Sequence, residues 1–176
     1  SMIEVRVVGS SSVILVNGQI AIRKTIGNRA KLEKVNVYVG DPWYDASNAI
    51  ISDISFNGPI KPERLEDIGS TKISRSVEGS PTVFITQPSP DYILSFTIKP
   101  LGVQNGWASI IHFTTGTNGS RVPGIWFWPG TTKLHIITGT TAVPNEQNNV
   151  PFNLKLNEES MIEVRVVGSS SVILVN

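Results

Sequence analysis

The chain has 176 residues, of which 40% are hydrophobic and 16% charged, and its net charge is +1. That length supports one substantial core, while the near-neutral charge gives no steering towards nucleic acid or an anionic membrane. No apolar run approaches the roughly 20 residues that span a bilayer, so membrane insertion is not expected, and the lack of cysteine excludes disulfides and thiol catalysis.

Taken in chain order, the sequence reads as strands throughout. Ser1–Asn17 is SMIEVRVVGSSSVILVN. Met2–Val8 alternates apolar and polar residues, Gly9-Ser10-Ser11 turns, and Val13–Asn17 runs back. Asn17-Gly18 then predicts a type I′ hairpin, because both residues tolerate positive φ, with Gln19–Lys24 as the returning strand. Further strands are predicted at Val35–Val39, Ala49–Phe56, Thr82–Thr86, Tyr92–Lys99, Trp107–Thr115, Gly124–Trp128, Lys133–Thr138 and Phe152–Leu156. Turn clusters such as Gly40-Asp41-Pro42, Asn57-Gly58-Pro59 and Pro129-Gly130 separate them. Only Lys61–Ile68 could form a helical turn or two. Many short strands with regular turns predict an all-β, two-sheet antiparallel sandwich of jelly-roll type.

The last segment, Ser160–Asn176, repeats Ser1–Asn17 without a substitution. The offset, 160 − 1 = 159, defines a single domain over residues 1–159, with 160–176 a duplicate of 1–17. A period this long is a whole domain rather than a solenoid repeat of about 20–50 residues. Three histories fit: a window cut from a tandem array, a circular permutant with overlapping ends, or a deliberately duplicated segment carrying a Ser-Met cloning remnant. Permutation places the natural seam near Phe56–Glu63, since domain termini often lie close together. Each chain then holds one hairpin more than one domain needs. The surplus is expected to pair with an exposed sheet edge, its own or a neighbour's, which makes self-association possible.

Read as 58–176 followed by 18–57, the chain resembles the laminin-G or concanavalin A-like jelly-roll superfamily. The resemblance rests on YILSFTIKPLG, GWASIIHFTTG and GSRVPGIWFWPGTTKLHI within Tyr92–Ile136, then MIEVRVVGSSSVILVNGQIAI, then VYVGDPWYDASNAIISDISF. It implies an extracellular or cell-surface module; members serve as lectins, adhesion modules, glycosidases or spacers, and fold alone does not choose among them.

The residues themselves speak against an enzyme. Jelly-roll glucanases carry Glu-x-Asp-x-x-Glu on one strand, which puts an acid and a nucleophile on one face, and this chain has no such run. Glu63, Glu66 and Asp67 lack strand spacing and read as a solvated patch. There is no Gly-x-Ser-x-Gly elbow or His-Glu-x-x-His motif, and two histidines without cysteine make a transition-metal site improbable.

The aromatic pattern is more informative. Strand alternation puts Ile125 and Phe127 on one face and Trp126 and Trp128 on the other. By the same alternation Ile111 and Phe113 point inward and Ile110, His112 and Thr114 outward, while Leu134 and Ile136 oppose Lys133 and His135. If these strands are neighbours, Trp126, Trp128, His112, His135 and Lys133 share an outer face. Such a face can stack on sugar rings, or it can lie buried beneath a loop such as Gly139–Val150. Asn118 and Arg121, in the Thr115–Arg121 loop, could serve a rim site. In the Gly40–Ala49 loop, Asp41, Asp45 and Asn48 offer oxygens for Ca²⁺, and laminin-G modules often hold calcium at a loop rim. Asp-Pro-Trp there is equally an ordinary turn with a packed aromatic. The expectation is a non-catalytic binding or adhesion module for a glycan or matrix ligand, with a purely structural or self-assembling repeat as the alternative.

Overall fold

The computed structural model describes residues 3–8, 11–16, 20–25, 31–57, 62–64, 69–86, 90–139, 143–168 and 170–175. The Asn17-Gly18 turn and most of the Lys61–Ile68 segment lie outside them. Within that segment, 62–64 is strand rather than helix.

The described residues form two packed sheets, antiparallel but for one short parallel bridge. The strands are β1 (Ile3–Val8), β2 (Ser11–Val16), β3 (Ile20–Thr25), β4 (Lys34–Val39), β5 (Asp45–Ala46), β6 (Ala49–Asn57), β7 (Pro62–Arg64), β8 (Thr71–Lys72), β9 (Val83–Thr86), β10 (Tyr92–Pro100), β11 (Ala108–Thr114), β12 (Gly124–Phe127), β13 (Lys133–Ile137), β14 (Gln147–Asn153), β15 (Ser160–Val167) and β16 (Ser170–Val175). The first sheet runs β3-β16-β15-β10-β6-β7, with β8 also pairing with β6. The second runs β14-β13-β12-β11-β4-β9, with β5 parallel to β11. β1 and β2 form a separate two-stranded ribbon.

The core lies between the sheets because each strand turns its apolar set to one side. β10 alternates strictly between buried and half-buried positions, so Leu94, Phe96 and Ile98 point inward and Ser95, Thr97 and Lys99 outward. Opposite them, Val35, Val37, Phe113, Ile125, Phe127, Leu134 and Ile136 close the other wall. Phe56 joins the two walls, stacking on Tyr92 at 5.2 Å and on Phe113 at 5.0 Å between ring centroids.

Four ladders among the described residues shift register, and two of these shifts change which side chains reach the core. The β6–β10 register shifts between Ser95 and Thr97, where Asp53 takes a φ of 52°. Ile51, Ile54 and Phe56 therefore all face the core, as an extra residue re-aims the side chains after it. The β11–β12 register shifts between Ser109 and Ile111. Both Ile110 and Ile111 enter the core, so Ile110 does not sit on the outer face that simple alternation gives it.

β14 is the other departure, since its strand covers Gln147–Asn153 rather than Phe152–Leu156. Its sequence is polar because it is an edge strand. It pairs with β13 and buries Asn148 and Val150 while exposing Gln147, Asn149 and Pro151.

Candidate functional site

The outer face of the second sheet carries the side chains with chemistry, and they converge on Asp41. Gly40 opens this loop with a φ of +73°, and a Cβ there would collide with the Ser74 carbonyl, so only glycine fits. Asp41 follows, wholly buried. Its Oδ1 accepts the backbone N–H groups of Trp43 (3.0 Å) and Tyr44 (2.9 Å). Its Oδ2 accepts from Ser109 Oγ (3.0 Å) and Trp126 Nε1 (3.0 Å), and meets His112 Nδ1 at 3.2 Å. The other nitrogen of His112, Nε2, lies 2.8 Å from the Ser120 carbonyl. The ring thus bridges Asp41 and the Ser120 carbonyl.

Burial pushes the Asp41 carboxyl upward. It is outweighed by the hydrogen bond from His112, the N–H of Tyr44, the charge of His112 and the Ser109 hydroxyl, so the group is held below the ordinary carboxylate value.

Trp126 owes its position to Gly124. Its indole lies over the Gly124 α-carbon, where a Cβ would overlap the ring. Tyr44 packs edge-on at 5.9 Å and His112 at 5.1 Å, and the Arg121 guanidinium lies 5.2 Å above the ring. Arg121 in turn donates to the Asn118 carbonyl (3.2 Å), Asn145 Oδ1 (2.7 Å) and, at 3.4 Å, the Tyr44 hydroxyl. Trp126 is consequently only 2% exposed.

Towards the other end of the same face, the packing opens. Trp107, Trp128 and His135 meet with ring centroids 4.5, 4.7 and 4.9 Å apart. Both of these tryptophans are half-buried, as is Lys133, and Asn149 beside them is exposed. His135 Nδ1 lies 2.6 Å from Asn149 Oδ1. Desolvation lowers the His135 pKa and the Arg121 charge lowers it further, against the Asn149 hydrogen bond, so the ring stays neutral at neutral pH.

The residues expected on the outer face thus come together but divide in two. Trp126 and His112 are sealed, which corrects any reading of them as an open surface. Trp128, His135 and Lys133 lie at the half-exposed end, joined by Trp107. Asn118 and Arg121 hold the cover rather than a rim site. That cover is the 40–48 loop with Arg121; of the Gly139–Val150 segment, Gln147 onward is strand, and 140–142 lie outside the described residues.

The calcium set does not assemble. Asp41 faces five donors, more than the roughly four lone-pair sites a carboxylate offers. The Asp45 carboxylate is 74% exposed and sits 3.8 Å from Arg75. The Asn48 backbone is tied to Leu101 and to Gln104. Among the described residues, no group of three or more His, Cys, Asp or Glu is arranged to hold a metal.

Trp107 and Asn149 escaped the sequence reading. Trp107 precedes its strand, and Asn149 sits in an edge strand hidden by polarity. Compared with known proteins, the chain matches no family model, no curated protein and no solved structure.

Proposed function

We propose that the protein is a non-catalytic extracellular or cell-surface binding module that holds carbohydrate against the Trp107–Trp128–His135 end of its second sheet. The observation that carries this reading is a pair of half-exposed indoles 4.5 Å apart, flanked by Lys133 and Asn149. Aromatic faces stack on the apolar faces of sugar rings, and the neighbouring polar groups meet the hydroxyls. The laminin-G or concanavalin A-like jelly-roll relationship, in a permuted or tandem frame, is part of the same reading and rests on the sequence segments quoted above.

The Asp41–His112–Ser109 group supports a binding rather than a catalytic role. Ser109 donates to the aspartate rather than to the histidine, and His112 Nε2 is taken by a backbone carbonyl. A nucleophile needs a base within reach and room for a substrate, and all three side chains are buried.

A glycan array probed with and without calcium, followed by titration of the hits, tests this proposal. Trp128→Ala should weaken binding about tenfold or more, roughly 1.4 kcal/mol, with an unchanged circular dichroism spectrum. Calcium should make no difference, since Asp41 has no free lone pair. A blank array with concentration-dependent association would favour the second reading, a structural repeat that self-associates, which the duplicated hairpin supports.

A further inference from the structure

We infer that the place between β10 and β3 in the first sheet is a receptor for either copy of the seventeen-residue hairpin, so that residues 1–17 and 160–176 are alternative occupants of one slot.

Three observations carry this. The two copies form the same hairpin in the same register: Ile3 faces Val16 in β1–β2, as Ile162 faces Val175 in β15–β16. Second, the slot is filled by the C-terminal copy, which pairs with β10 on one side and β3 on the other. It supplies Ile162, Val164, Val166 and Ile173 to the core, all at 0% exposure. The slot cannot stand empty without opening the core to water.

The third observation is the register of β16 on β3. Leu174 faces Ile20 after a bulge that follows Ile173 opposite Ile22, and 174 − 159 = 15, so the equivalent residue of the first copy is Leu15. A pairing of Leu15 with Ile20 sets Val16 opposite Gln19 and leaves Asn17-Gly18 as the two-residue turn. At the turn end, beyond the bulge, that is the register a covalent Asn-Gly hairpin would impose on β2 and β3, while the four pairs from Ser170–Thr25 to Ile173–Ile22 lie one residue out of it. The turn end of β3 thus accepts the copy directly preceding it in the chain as well as the distant copy that occupies it. Connection does not decide between them. The first copy needs a two-residue turn to reach the slot, the second a short link from Leu154 to Ser160, and closure entropy varies slowly with loop length.

Two sets of full-length variants test the inference. Val164→Asp puts a charge in the slot through the second copy, and Val5→Asp does so through the first. Either substitution alone should shift Tm by no more than about 3 °C, because the intact copy takes the slot and the damaged one stays outside. The pair together should abolish cooperative unfolding. If Val164→Asp alone is as damaging as the pair, the copies are not interchangeable.

The second set disturbs no core residue and uses the absence of native cysteine. Val172 faces Arg23 across β16–β3, and Val13 is the equivalent of Val172. Arg23→Cys with Val172→Cys, and separately Arg23→Cys with Val13→Cys, should each form an intrachain bridge in a dilute redox buffer, read by mass spectrometry. Bridging only in the first pair would overturn the proposal.

Discussion

At the residue scale, Asp41 is the most constrained side chain of the outer face. Its carboxylate neutralises five donors at once, so its loss leaves a buried histidine, an indole N–H and two backbone amides without their acceptor. Asp41→Asn, which sets an amide N–H₂ where an acceptor oxygen stood, should cost about 1–3 kcal/mol, the range for leaving a buried polar group unsatisfied, measured by urea unfolding at pH 7. The sign of the pH effect follows from the lowered pKa. The unfolded chain takes up the proton first, so the contribution is complete above about pH 4 and is lost as pH falls through the folded-state value. The acid limb of the stability profile should be shallower in the Asn variant. His135 obeys the same rule from the basic side. Its pKa is lowered in the fold, so its share of stability is present above the ordinary histidine value of about 6.5 and fades as pH falls. An NMR titration should find its ring titrating below that value, and Asn149→Ala, which removes the hydrogen bond that favours the charged ring, should lower it further. A ring that titrates at or above 6.5 in the wild type would contradict the burial seen here. The sequence marked Asp41, His112 and His135 as notable, but Asp41 as a calcium ligand. Nothing in Asp-Pro-Trp-Tyr says that a serine and a tryptophan from distant strands arrive at the same oxygen.

At the scale of elements, strands with strict alternation were readable and those with bulges were not. β10 and β12 follow period two, so their inward faces could be assigned from the order of residues alone. β11 could not be treated this way, because the bulge after Ser109 turns Ile110 into the core and no residue there announces it. β12 also shows how one small residue serves a large one. Gly124→Ala would place a methyl group inside the Trp126 indole, forcing the ring off its site over the Asp41 loop. The expected loss is about 1–3 kcal/mol, as for other overpacked positions, read as a lower Tm with a red-shifted tryptophan emission. Trp126→Ala should cost more, about 3–5 kcal/mol, as a large buried aromatic. It would thus act as a stability variant, in contrast to Trp128→Ala.

At the scale of the whole molecule, the two sheets differ in how their edges end. The first is bounded by β3 and the short β7, the second by β14 and the short β9. Lys24 at the end of β3 pairs with Glu146 and donates to the Gln147 carbonyl at 3.0 Å, tying one edge of the sandwich to the other sheet. Hydrogen exchange should be slowest for the amides of β10 and β11, which are paired with strands on both sides, and fastest along β9 and β14. Equal protection of centre and edge would mean that the sandwich opens only as a unit.

The sequence by itself determined the strand-rich class, the identity of segments 159 positions apart and most inward-facing residues, because alternation and identity are read directly along one chain. Only the tertiary structure decided which outer-face aromatics are sealed and which stay half open. That outcome depends on where the Gly40–Ser47 loop and Arg121 come to rest, and on Asp41 meeting side chains 68 to 85 positions away. The same holds for the duplicated ends. Their identity is plain in the sequence, but which copy lies between β10 and β3 is seen only in the pairing of β15 with β10 and of β16 with β3, because two identical segments cannot encode a choice between them.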